Sequence, residues 1–172
     1  MTGDWTPLLG LLTAFTILLL LNRWINQHIQ GVGLLLTGSE EATGILYFLV
    51  LFPGILLHEL SHWLMAKLLG LRTGRISLGP SKKRRAYLQL GSVEVERGGP
   101  FLDSLVGAAP LITGCAFLIF ISHRVFDVQG LMQELLYGNW ETLWERVAAF
   151  LSTKDFWIWL YLVFSISNAM MP

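Results

Sequence analysis

The amino-acid sequence predicts an α-helical polytopic membrane protein, with about four transmembrane helices and a small β-hairpin or sheet element on the cytoplasmic side. The first observation is composition: 53% of the residues are hydrophobic, 14% are charged and the mean hydropathy is +0.57, whereas soluble domains average about 25% charged residues. The second is a set of four apolar segments close to the roughly 20-residue length that spans a bilayer. The third is a basic connection between two of them, which orients the chain.

The four apolar segments cover about residues 5–24, 44–69, 102–121 and 156–172. The first has Trp5 and Trp24 at its ends, where interfacial rings prefer to lie. It has no basic region before it and no small-residue cleavage site after it, so we interpret it as a retained helix and not as a signal peptide. No internal repeat or low-complexity linker interrupts the sequence, and we expect residues 1–172 to form a single membrane domain.

The connection from residue 70 to residue 100 is rich in basic residues. Seven lysines and arginines stand against two glutamates, and by the positive-inside rule we expect this segment in the cytoplasm. The connection 122–155 is acidic and belongs on the opposite side. Within it, residues 130–151 place apolar side chains at helical spacings, which predicts an external amphipathic segment of two short helices broken at Gly138–Asn139.

The cytoplasmic connection also carries a strand pattern. Two leucines alternate with other residues before Gly91–Ser92 and two valines alternate after it, so the pattern predicts a β-hairpin or bulge with a register change at that point. An exposed strand edge would offer main-chain pairing to an extended substrate peptide. Alternatively, the hairpin rests on the membrane surface, with the basic run 82–85 on anionic lipid headgroups. The sequence leaves both alternatives open.

The chemistry-bearing motif is His58-Glu59-Leu60-Ser61-His62, an HExxH pattern inside the second apolar segment. Residues four apart lie on one face of a helix, so His58 and His62 can bind one Zn²⁺, with Glu59 beside them as a base. Such a site supports metal-assisted hydrolysis of a peptide bond. The alternative is a packed pair of histidines, which we disfavour because ionisable groups inside a membrane are costly.

Depth estimates place residues of three apolar segments in the same layer of the membrane. At 1.5 Å per residue, His58 lies about 21 Å from the outer face and Asn168 about 20 Å. Pro110, in the third segment, lies about 12 Å from the cytoplasmic face. Because the hydrocarbon core is about 30 Å thick, we expect these polar or helix-bending positions to meet, nearer the cytoplasmic side.

These motifs, taken in order, resemble the site-2 protease family of intramembrane zinc metalloproteases. The resemblance covers roughly residue 44 to the end and lies in HExxH, in LRTGRISLGP at residues 71–80, in GAAPLITG at residues 107–114 and in SNAMMP at residues 167–172. The last is similar to the start of the family's N-x-x-P-x-x-x-L-D-G segment, whose aspartate is the third zinc ligand. In this sequence the asparagine and the proline are separated by one residue more than in the family pattern.

The resemblance implies an intramembrane zinc metalloendopeptidase that cleaves membrane-anchored proteins in or near their transmembrane segments. His58 and His62 would bind Zn²⁺, Glu59 would activate water, and Asn168 would position the substrate. No aspartate follows the last motif before Pro172, so we expect the third ligand to lie beyond this sequence, in a chain truncated at its C-terminus. Asp103 is the alternative ligand, but it suits the start of the third helix better.

Two rival interpretations stay open. One is a membrane zinc protease of the other HExxH type, with a soluble catalytic lobe; the depth of His58 and the lack of room for a lobe argue against it. The other is a catalytically silent scaffold that regulates membrane proteins by binding them. A formal net charge of zero gives no indication of nucleic-acid binding, and the single cysteine, Cys115, excludes an internal disulfide. We expect a multi-pass membrane location; the oligomeric state is open.

Overall fold

The computed structural model of this chain describes residues 6–82, 88–137 and 140–170, and these residues are mostly helical. They form six helices and a two-stranded sheet. In chain order, the elements are α1 (Thr6–Thr37), α2 (Glu40–Leu68), β1 (Thr73–Lys82), β2 (Leu88–Val95), α3 (Pro100–Arg124), α4 (Val128–Tyr137), α5 (Trp140–Leu151) and α6 (Phe156–Ala169). The predicted combination of a largely helical chain and a small β element is confirmed.

Two of these helices are long and apolar enough to cross a membrane. They are α2 and α3, and the pair α5–α6, bent by 84°, could form a third span within the described residues. The count is therefore two to three, against the four that the sequence predicts. Helix α6 alone has 14 residues, a length of about 21 Å, which is shorter than the hydrocarbon core of about 30 Å.

The chain divides into two compact units, Met1–Leu49 and Val50–Pro172, and α2 runs from one into the other. In the first unit, Gly38 turns the chain with φ of +63°, and the hydroxyls of Thr37 and Thr43 lie 3.0 Å apart. Helix α1 continues well past Trp24, where the first apolar segment was predicted to end. The reason is that helical hydrogen bonds are internal to the backbone and persist through polar residues. The single domain stays a prediction.

The second unit contains three helices that contact one another, α2, α3 and α6. Helix α3 begins after Gly99, whose φ is +103°, with Pro100 in its first turn, where a missing N–H costs nothing. Gly114 of α3 lets α6 come close, because a Cβ there would lie 2.5 Å from Cγ of Met170. Small residues at such crossings permit tight helix packing in membranes.

The two strands form an antiparallel hairpin in the connection where the sequence predicts one. Ile76 pairs with Val93 and Leu78 pairs with Gly91, and one extra residue on β1 interrupts the register on each side of this regular stretch. The predicted register change at Gly91–Ser92 is wrong in one respect: both residues lie inside a continuous β2, and the bulges are on β1. The bulge next to Gly91 contains Gly79, with φ of +131°.

The predicted amphipathic segment 130–151 consists of the two short helices α4 and α5. The break expected at Gly138–Asn139 lies outside the described residues. Arg146 links α5 to α4. Its side chain lies 3.1 Å from Asp127, just before α4, and 3.3 Å from Glu134 within α4. The helix pair is therefore held by charge as well as by apolar contacts.

Candidate metal centre

The two histidines of the motif face each other across one turn of α2. Their Nε2 atoms are 3.1 Å apart, and their rings are 4.8 Å apart between centroids with an interplanar angle of 77°. This edge-to-face arrangement follows from their spacing of four residues on a helix. The two Nε2 atoms thus converge on a common point beside the helix.

A hydrogen bond to a backbone carbonyl determines which nitrogen of the His62 ring carries the proton. Nδ1 of His62 lies 2.8 Å from the carbonyl oxygen of Val106, on α3. A carbonyl can only accept, so Nδ1 carries the hydrogen and Nε2 of neutral His62 presents a lone pair. The proton between the two Nε2 atoms therefore belongs to His58, which donates it to His62. Metal-binding histidines characteristically donate their other ring N–H in this way.

The separation of the two rings fits a tetrahedral zinc ion. Zinc–nitrogen bonds of about 2.0–2.1 Å at a tetrahedral angle place two nitrogens about 3.3 Å apart. The observed 3.1 Å is close to that value, and the lone pair of His62 already points into the gap. His58 and His62 therefore fit two of the ligand positions of zinc; to bind the ion through Nε2 as a neutral ring, His58 would carry its proton on Nδ1 instead.

Helix α6 also comes close to His58. The backbone of Ala169 lies near the His58 ring, but Nδ1 of His58 is buried and has no hydrogen-bond partner among the described residues. The neighbouring Asn168 donates from Nδ2 to the carbonyl of Phe164 at 2.8 Å, and its buried Oδ1 has no partner in that part of the chain. Asn168 is thus adjacent in the chain to Ala169, which lies near His58, but the Asn168 amide itself bonds to its own helix.

Glu59 is buried under the hairpin. It is only 8% exposed, and its side chain packs against Gly91 of β2 so closely that a Cβ at Gly91 would lie 2.6 Å from Oε1 and 2.9 Å from Cδ. Along α2, Glu59 follows His58 directly and precedes His62 by three residues. The structure therefore places the candidate base next to one candidate ligand and directly beneath a strand.

A pair of hydroxyls ties α2 to α3 beside the histidines. Ser61 Oγ lies 2.5 Å from Thr113 Oγ1, and each hydroxyl also reaches a carbonyl of its own helix, that of Leu57 for Ser61 and that of Ala109 for Thr113. Because the two hydroxyls carry two protons, at most two of these three contacts are hydrogen bonds at one time. The contact places Thr113 of α3 beside Ser61, the residue that precedes His62.

Helix α6 is tied to α2 one turn before His58. The N–H of Gly54 donates to Ser165 Oγ at 2.9 Å, and Ser165 is fully buried. A Cβ at Gly54 would overlap the backbone of Ser165 and lie 2.7 Å from the Cβ of Ala169. Polar positions on α2, α3 and α6 thus come together near the two histidines.

The described residues contain no group of three or more histidine, cysteine, aspartate or glutamate side chains placed to hold a metal ion. Asp103, the alternative third ligand, instead accepts a hydrogen bond from the N–H of Gly98 at 3.0 Å in the first turn of α3. That is the role at a helix N-terminus that the sequence favours for it. The two histidines are therefore an incomplete ligand set among these residues.

Several residues that support the site are not among those predicted from the sequence. The Val106 carbonyl gives no sequence signal, because every residue has one. Ser165 and Thr113 are detectable as polar residues inside apolar helices, where a hydrogen-bond partner is required. Gly91 was noted as a strand irregularity, and its contact with Glu59 depends on folding.

No protein-family model, curated protein or solved structure matches this chain. The chemistry of the site is therefore indicated by its own geometry. Two convergent imidazole nitrogens with a carboxylate on the adjacent residue can hold a cation and take up a proton beside it.

Proposed function

We propose that this protein is an intramembrane zinc metalloendopeptidase, similar to the site-2 protease family, that hydrolyses peptide bonds in or near the transmembrane segments of membrane-anchored proteins. The observation that carries the proposal is the 3.1 Å separation of the His58 and His62 Nε2 atoms, with the buried Glu59 on the same turn of an apolar helix. Such a grouping is expensive in a membrane unless it has a use.

The chain's own residues would have distinct roles. His62, oriented by the Val106 carbonyl, and His58 would hold Zn²⁺, and Glu59 would accept a proton from the attacking water and pass it to the departing amine. A zinc ion bound there supplies a Lewis acid and lowers the pKa of water to about 7. Asn168 would bind the substrate backbone, for which its Nδ2 would turn from the Phe164 carbonyl.

The burial of the site supports hydrolysis inside a membrane. Water is scarce in an apolar layer, so a site there needs its own polar lining, and Ser61, Thr113 and Ser165 supply hydroxyls close to the two histidines. The partners of the protein would be the lipid bilayer and a membrane-anchored protein substrate. The zinc site would lie nearer the cytoplasmic face, as the basic connection between α2 and α3 indicates.

Metal content tests the proposal. The full chain is purified in detergent, loaded with zinc, dialysed and assayed by elemental analysis, beside His58→Ala, His62→Ala and the control His123→Ala, which changes an exposed histidine at the end of α3. We expect zinc in the wild type and in the control, and its loss in both site variants. Zinc absent from the wild type, or retained by both site variants, would contradict the proposal.

A catalytically silent membrane scaffold is the second candidate, and the absence of a third ligand among the described residues favours it. In that case the histidine pair is a packing element, and zinc would not change the thermal stability of the protein. If the protein is a metalloprotease, zinc should raise the thermal stability of the wild type but not that of His58→Ala, because a ligand that binds the folded state stabilises it. Cleavage of a membrane-anchored reporter in vesicles then separates an active enzyme from a zinc-binding scaffold.

A further inference from the structure

The contact between Gly91 and Glu59 joins two segments with different stability. Glu59 lies on a long helix, whereas Gly91 lies in a two-stranded sheet, and an isolated hairpin is only marginally stable in water. A Cβ at Gly91 would lie 2.6 to 2.9 Å from three atoms of the Glu59 side chain. The absence of a side chain at this one position therefore allows β2 to rest directly on the carboxylate.

Both ends of the hairpin carry a glycine in a conformation that other residues rarely adopt. Gly70, before β1, has φ of +75°, and Gly99, after β2, has φ of +103°. The backbone at both positions is hydrogen-bonded: the N–H of Gly70 donates to the Lys67 carbonyl at 3.1 Å, and the Gly99 carbonyl accepts from the N–H of Asp103 at 2.9 Å. Between them, the N–H of Glu96 donates to the carbonyl of Arg72 at 2.9 Å, which keeps the base of the hairpin paired. The base of the hairpin is thus held in place, whereas the strands beyond it depend on the pairing of a two-stranded sheet, which is only marginally stable by itself.

The seated hairpin conflicts with hydrolysis at the site. A carboxylate that takes a proton from water must reach that water, yet Glu59 is 8% exposed and its open side is closed by β2. A peptide bond that approached the carboxylate from this side would meet the backbone of Gly91. Some movement of β2 is required before Glu59 can act.

We infer that the Gly91 segment of β2 is a removable cover for Glu59: when seated it withholds the carboxylate from water and substrate, and when lifted it exposes the carboxylate. The consequence for catalysis rests on the proposed function. The cover itself does not, because it is a contact between a strand and a buried carboxylate.

Chemical labelling of carboxylates tests the cover without any need for activity or metal. The full chain in detergent is treated with a water-soluble carbodiimide and an amine, and the labelling of Glu59 and of Glu94, an exposed residue on the same strand, is followed by mass spectrometry. We expect Glu59 to label about tenfold more slowly than Glu94 but to reach completion in the folded protein, through transient opening. Equal rates would overturn the cover, and a Glu59 that never labels would overturn its removal.

Matched glycine variants test the role of the missing side chain. Gly91→Ala should raise the Glu59 labelling rate several-fold, whereas Gly107→Ala on α3 should not, because a Cβ at Gly107 meets nothing within 4 Å. An unchanged rate in Gly91→Ala would overturn the proposal.

A pair of cysteines tests the proximity of positions 59 and 91 directly, because Glu59→Cys shortens the side chain that a new side chain at position 91 would otherwise meet. In a Cys115→Ser background, Glu59→Cys with Gly91→Cys should form a disulfide under mild oxidation, and Glu59→Cys with Glu94→Cys should not. Failure of the first pair to cross-link would show that β2 does not rest on this turn of α2. If the cysteine pair cross-links but the wild-type protein binds no zinc, the proposed function is refuted and the cover is not.

Discussion

The backbone N–H of Gly54 donates a hydrogen bond to the hydroxyl of Ser165, 111 residues later in the chain, at 2.9 Å. This bond lies one turn before His58 and joins α2 to α6 where Pro53 interrupts the helical hydrogen bonding of α2. A glycine is required because a Cβ would overlap the Ser165 backbone, which cannot move without moving α6. The position of α6 beside the histidines therefore depends on residue 54.

Gly54→Ala should destabilise the protein by about 1–3 kcal/mol, the usual cost of overpacking a close contact. The matched control is Gly107→Ala on α3, where a Cβ meets nothing within 4 Å and where alanine should be neutral or stabilising. Thermal unfolding of both variants in one detergent checks this. Equal stability of the two variants would show that α6 does not pack on Gly54.

Local features of this fold were predictable from the sequence. Helices α2 and α3, the hairpin and the pair α4–α5 follow from apolar length and periodicity, which are properties of neighbouring residues. The length of α1 was not predictable from hydropathy, because hydropathy measures preference for solvent and not the continuity of backbone hydrogen bonds.

The candidate site was predictable only in part. The spacing of His58 and His62 on one helix dictates that their rings converge, so sequence alone gives that pair. The carbonyl that orients His62 and the glycine that covers Glu59 come from residues 44 and 32 positions away. Their proximity depends on tertiary packing, which no local pattern encodes.

Thr113→Val should lower stability by about 0.5–1.5 kcal/mol, in the range of interhelical hydrogen bonds in membrane proteins. The change keeps the shape of the side chain and removes its hydroxyl, which lies 2.5 Å from that of Ser61. The control is Thr16→Val, since the exposed Thr16 hydroxyl donates to Leu12 in its own helix. An equal effect of both changes on the unfolding midpoint would argue against the link between α2 and α3.

Glu59→Gln should keep zinc and lose hydrolysis. The change preserves size but removes the base, and general-base catalysis contributes about 10²–10⁴-fold to a rate. Elemental analysis and cleavage of a membrane-anchored reporter measure the two properties separately, with the exposed Glu94→Gln as control. Loss of zinc in Glu59→Gln would instead make Glu59 a ligand.

Arg146→Met should destabilise the α4–α5 pair by about 1 kcal/mol, because Arg146 bridges Asp127 and Glu134 and is only partly exposed. Arg72→Met is the control: that side chain is 92% exposed and 3.9 Å from Glu96, so its removal should have no measurable effect. The difference between the two variants should shrink at high salt. An Arg146→Met variant as stable as the control would mean that apolar contacts alone hold the two helices.

Asn168→Leu should separate stability from function. In the described residues, the buried Oδ1 of Asn168 has no hydrogen-bond partner, and an unsatisfied buried polar group costs about 1–3 kcal/mol. Leucine has a similar volume and no such group, so we expect a higher unfolding temperature. If Asn168 binds the substrate backbone, the same variant should raise KM for a membrane-anchored reporter while zinc content stays unchanged. A more stable variant with unaltered KM would show that Asn168 has no part in binding; a less stable one would show that its bond to the Phe164 carbonyl is worth more than the unpaired oxygen costs.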